Sequence, residues 1–80
     1  MNIPDHINAR WIDTLGNDQL VQAEAELHAV FHQQESSEKA RKGERYMLLQ
    51  GPATLVTAWH RWLQVNNETR SRGLVVHRRA

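Results

Sequence analysis

The chain predicts an all-α fold, a compact domain of three to four helices, and three observations carry that prediction. Four glycines, Gly16, Gly43, Gly51 and Gly73, divide 80 residues into a few segments, and glycine is the residue at which a backbone most readily leaves a helix. Within the longer segments apolar residues return every three or four positions, the period of a helix that buries one face. Cysteine is absent. Neither a disulfide framework nor a thiolate metal cage can then supplement a small core, so cohesion must come from packing, within one copy or against a second.

In the first segment Ile3, Ile7, Trp11 and Leu15 repeat at i+4 with Ile12 beside them, and Pro4 stands near the start, where a missing N–H costs nothing. A short amphipathic helix closed by Gly16 is expected. Asn17 or Asp18 then offers a side-chain cap for the second helix, whose apolar stripe is Leu20, Ala23, Leu27, Val30 and Phe31. The same stretch also alternates at period two, with Val21, Ala23, Ala25, Leu27, Ala29 and Phe31 against Gln22, Glu24, Glu26 and His28. Its alanines and glutamates favour helix over strand. The polar stretch 33–45 is either an exposed continuation of that helix or a loop around Ser36-Ser37.

Tyr46-Met47-Leu48-Leu49 is too short to type by periodicity and stops at the turn signal Gly51-Pro52. Beyond it Leu55, Val56, Trp59, Trp62 and Leu63 share a stripe with Ala58, while Thr57, His60, Arg61 and Gln64 face away. This third helix can run through Asn66-Asn67 to a Gly73 C-cap. Residues 73–80 read as a flexible basic tail or, over 74–78, as a short C-terminal strand. The competing architecture is a small α/β fold with strands near 21–32, 45–49 and 74–78 and a covering helix over 53–65. Either way residues 1–80 form a single small domain. A cytoplasmic protein is expected, because no apolar stretch approaches a membrane span and no leader pattern opens the chain.

Charge is sorted by position. Residues 1–38 carry seven acids against Arg10 alone, a net of −6, and residues 39–80 carry nine bases against Glu44 and Glu68, a net of +7. Such asymmetry hints at a partner, or at two halves that fold against each other.

The chemistry of an enzyme is missing from the pattern. Ser36, Ser37 and Ser71 lie in charged surroundings and none occupies a nucleophile elbow, no glycine-rich loop would cradle a phosphate, and Glu24 and Glu26 at i, i+2 on a helix point apart. No enzymatic role, cofactor or small-molecule substrate is therefore expected. His28 and His32 share a helix face, but metal binding needs a third ligand that the spacing does not supply, so a solvated face is the plainer reading.

Two binding roles remain. Aromatic residues and arginine dominate interface energetics, which makes Arg45, Tyr46, Arg61 and Trp62 candidates for an anchor within a working surface at 39–64. The partner would be another protein or a second copy in a homo-oligomer. The alternative is an RNA- or DNA-binding module using two basic clusters, Lys39, Arg41, Lys42 and Arg45, then Arg70, Arg72, Arg78 and Arg79. Trp59 and Trp62, on the stripe that holds Leu55 and Leu63, read as core rather than as base-stacking platforms.

Overall fold

The computed structural model describes residues 1–74 and 78. Helix α1 (Ala9–Asp13) leads into the long α2 (Asn17–Lys42), two 3-10 turns follow at Gly43–Arg45 and Leu48–Gln50, and α3 (Ala53–Ser71) folds back along α2. No strand occurs among the described residues. The all-α expectation holds and the α/β alternative fails over 21–32, which is helix, and over 45–49, where Tyr46 and Met47 link two 3-10 turns. The proposed strand at 74–78 falls largely on residues 75–77, and the tail 73–80 also includes 79 and 80; all five lie outside the described residues.

The first helix is shorter than its apolar spacing predicts. Asn8 has extended geometry (φ −139°, ψ 170°) and its Oδ1 accepts the Trp11 N–H at 2.9 Å, so the helix begins after Asn8 rather than at Pro4. Thr14 closes it, donating through Oγ1 to the Trp11 carbonyl at 2.6 Å. Ile3 and Ile7 nevertheless reach the core from the preceding irregular segment, which bends at residues 5–6. The cap of α2 is Gly16, one residue before the expected Asn17 or Asp18, and Gln19 reaches back so that its Oε1 accepts the Gly16 N–H at 3.0 Å.

Helix α2 does not break at Ser36-Ser37. Its 26 residues correspond to about 39 Å of helix at 1.5 Å per residue, which matches the longest molecular dimension of 39 Å. It ends at Gly43, whose φ of 58° is the left-handed region that side chains avoid. Helix α3 passes unbroken through Asn66-Asn67 and ends in a Schellman motif at Gly73 (φ 75°), where Gly73 N–H donates to the Arg70 carbonyl and Leu74 N–H to that of Thr69. Leu74 packs against the core, the apolar contact that commonly accompanies this motif.

The two long helices are antiparallel. Asn17, at the start of α2, accepts a bond from Arg72 at the end of α3, and Glu24 farther along α2 meets Trp62 and Asn66. Leu20, Ala23, Leu27 and Phe31 of α2 bury against Leu55, Ala58, Trp62 and Val65 of α3, and Ile7 and Ile12 cover the open end. The rings of Phe31 and Trp62 stack with centroids 5.5 Å apart and planes within 6°. Each such fully buried side chain contributes about 1.5–3 kcal/mol. Among the described residues no helix is long and apolar enough to cross a membrane.

Candidate functional site

Two places combine chemistry with defined geometry. The first is a polar centre in the middle of the helical hairpin. Glu24 stands one turn after Leu20 and two turns before Phe31, on the buried stripe of α2, and its side chain is completely inaccessible. Its Oε2 accepts the Trp62 indole N–H at 2.7 Å and the Asn66 amide at 3.1 Å. Arg78, delivered from beyond the end of α3, donates through Nε to Oε1 at 2.8 Å and to Oε2 at 3.0 Å. A buried carboxylate without donors would be prohibitively costly, so three donors and a counter-charge are what physics requires there.

His28 lies one turn farther along α2, its ring edge-on to Trp62 at 5.4 Å and 6.0 Å from the ring of His32. Desolvation first, and then the charges of Arg78 and His32, hold its pKa below the usual histidine range, against the opposing pull of Glu24 and Glu35. Among the described residues no group of three or more His, Asp or Glu side chains is arranged to hold a metal ion.

The second place is the knuckle that joins α2 to α3. Tyr46 is pinned beneath it: its hydroxyl donates to Glu35 Oε2 at 2.8 Å, and Lys39 Nζ lies 5.4 Å from its ring centroid and 3.5 Å from Glu35 Oε1. Burial, reinforced by that hydrogen bond to a carboxylate, pushes the Tyr46 phenol up to about 12. Gln50 N–H donates to the Met47 carbonyl and Gly51 N–H to that of Leu48, both at 3.1 Å, which holds the second turn rigid. Gly51 has to be glycine for packing, because a Cβ there would lie 2.7 Å from Leu55 Cδ2 and 3.2 Å from the Leu48 carbonyl. With Leu48 packed against the core, its neighbours point outward: Met47 is 55% and Leu49 73% exposed, the two most exposed large apolar residues among those described.

The anchor residues named from sequence separate in space. Arg45 is exposed on the knuckle and Tyr46 sits half-buried beneath it. Trp62 does not belong to a surface: it is 1% exposed, its indole committed to Glu24 and its face to Phe31. Arg61 is half-buried and donates through Nη2 to the Pro4 carbonyl at 2.8 Å, tying the N-terminal segment to α3.

The basic clusters are also redistributed. Lys39 faces Glu35, and Arg41 and Lys42 both face Glu38, Arg41 through two bonds of 2.8 and 3.0 Å. Arg72 is a structural clamp rather than a free cation: it donates to the carbonyls of Ile12 and Leu15, to Asn17 Oδ1 and to Glu68 Oε2. Arg78 enters the polar centre, and Arg79 lies outside the described residues. Of the eight bases proposed for nucleic acid, Arg45 and Arg70 are exposed without an ion pair among the described residues. Arg45 lies in the 3-10 turn that follows α2 and Arg70 in the last turn of α3, so they do not form one cluster. Trp59 is half-buried against the core beside His60, so neither tryptophan offers an open face to a base.

The split of charge at residue 38 is bridged locally at the end of α2 and, at Glu24, across the fold. Pairs at Glu24, Glu35 and Glu38 each join a carboxylate of the acidic half to a base of the basic half. Sequence reasoning missed the role of Glu24 and Asn66, although a signal existed: Glu24 interrupts the stripe Leu20, Ala23, Leu27, Phe31, and Asn66 follows Trp62 by one turn on the stripe of α3. No protein-family model, curated protein or solved structure matches this chain.

Proposed function

We propose that this chain is a small non-enzymatic binding protein that docks, through the knuckle at 43–50, on an apolar and acidic segment of a partner protein. The observation that carries this reading is the pair Met47 and Leu49, held outward on a rigid turn while Tyr46 and Leu48 anchor it from below. Two such residues on a preorganised support can enter a partner with little loss of conformational entropy, which is where binding free energy is most often lost. Arg45, next to them in sequence, is exposed without an ion pair among the described residues, so a carboxylate on the partner would orient the encounter.

Nucleic-acid binding draws less support. The stretch 35–45 holds three carboxylates beside its four bases, and phosphate binding depends on concentrated, uncompensated positive charge.

Selection from a displayed random-peptide library against the purified protein tests the docking reading. The expected ligands combine Leu, Ile or Phe with Asp or Glu, bind with weak salt dependence, and lose about tenfold or more in affinity to Leu49→Ser and Met47→Ser variants that remain folded. Ligands indifferent to both substitutions would overturn it, as would exclusive and steeply salt-dependent binding to random oligonucleotides.

A further inference from the structure

The polar centre has two parts of different origin. The carboxylate of Glu24 and the donors of Trp62 and Asn66 belong to α2 and α3 and are buried within the hairpin. The counter-charge does not: Arg78 stands four residues beyond Leu74, the last described residue packed on the core, and its side chain is 36% exposed where it meets Glu24. A fixed, desolvated carboxylate is therefore satisfied by a guanidinium that reaches it from outside the helical frame. Planar guanidinium is the cation best suited to such a place, since it is always charged, less strongly hydrated than an ammonium, and presents a fork of donors to a carboxylate.

We propose that Glu24, flanked by Trp62 and Asn66, is an arginine-binding site which the chain's own Arg78 fills, and that an arginine side chain on a peptide segment of a partner protein competes for it. The occupant is a partner's arginine rather than the tail of a second copy for a reason of concentration. Arg78 is tethered four residues from Leu74 and so is present at an effective concentration on the order of millimolar. An identical tail from another copy brings no advantage over that, whereas a partner segment with contacts of its own does. The site is independent of the knuckle: it lies in the middle of the hairpin and uses none of residues 43–50.

Arg78→Ala empties the site without touching α2 or α3, and N-acetylarginine amide is the probe. The expected result is a lowered melting temperature for Arg78→Ala that the probe raises saturably with a midpoint of about 0.1 mM, tenfold below the effective concentration of the tethered side chain it replaces. The matching lysine derivative and equal ionic strength of NaCl should have little effect. The ring of His28 reports occupancy directly. Removing the Arg78 charge raises its pKa in an NMR titration, and the probe lowers it again; Glu24, His32 and Glu35 also face this ring and are unchanged in that variant. In the full chain with Arg78 present, the probe should bind at least about tenfold more weakly. Should Arg78→Ala be unfolded, refolding on addition of the probe is the supporting result and failure to refold is the overturning one. A folded Arg78→Ala protein with no saturable response of melting temperature or His28 would also overturn the proposal. So would an equal response to the lysine derivative, or a dimer by light scattering that Arg78→Ala abolishes, because the occupant would then be a second copy.

Discussion

Glu24 and Glu38 lie on the same side of α2, two heptads apart, yet the two ends of the hairpin treat them differently. Glu24 takes its partners from α3 and from Arg78, residues 38, 42 and 54 positions away in sequence. Glu38 takes its partners from its own helix, Arg41 and Lys42 in the following turn. Both carboxylates are nearly shielded, but only the first holds separate elements in register. Burial by itself therefore says little about what a charge contributes; the origin of its partners decides whether it organises the fold or only finishes a helix end.

The most severe way to break this contrast is Glu24→Ala. It strands the Trp62 indole and the Asn66 amide in a dry core and leaves Arg78 without its carboxylate, and a loss of about 3–5 kcal/mol of stability is expected. Urea denaturation monitored by tryptophan fluorescence measures it, and a loss below about 1 kcal/mol, the value of an exposed pair, contradicts the assignment. Arg72→Ala ranks next. Its guanidinium spans two carbonyls of the α1 region, the start of α2 and Glu68, so about 2 kcal/mol should be lost. Amide exchange ought to show that loss as faster opening of α1, ahead of global unfolding; unchanged protection of residues 9–15 would argue against the clamp.

Glu38→Gln should have the smallest effect, confined to fraying of the last turn of α2 and erased by salt. Its pH dependence has a definite sign. The hydrogen bond and charge of Arg41 hold the Glu38 pKa below its ordinary 4.5. The folded state therefore binds fewer protons than the unfolded one in that region, and the contribution is complete above about 4.5 and disappears as pH falls through the lowered folded value. Comparing melting temperatures of the native and Glu38→Gln proteins from pH 6 down to about 3 should show the difference shrinking with acid; a difference that grows would reverse the assignment.

Much of the helical reading was legible residue by residue. The stripes of α2 and α3, the glycines at 43 and 73 and the core role of Trp62's stripe follow from local periodicity and from the few conformations a glycine permits. The knuckle was harder, because Tyr46 to Leu49 is too short to reveal a period, and which of its side chains turn outward depends on Leu48 and Gly51 meeting α3. The first helix was overextended for a related reason: apolar spacing records what packs on the core, and Ile3 and Ile7 do so from irregular chain as well as they would from helix.

From its sequence alone the chain favoured helices over strands, an end of the last helix at Gly73 and most of the apolar residues that meet, since each of these is decided within a turn or two of backbone. Only the tertiary structure settled where its charges act. The sorted acids and bases gave no register; the antiparallel hairpin places Glu24 in the core with partners 38 to 54 residues away and leaves Glu38 to pair within its own helix end. Electrostatic free energy depends on separation and on burial, and neither quantity exists until the helices have paired.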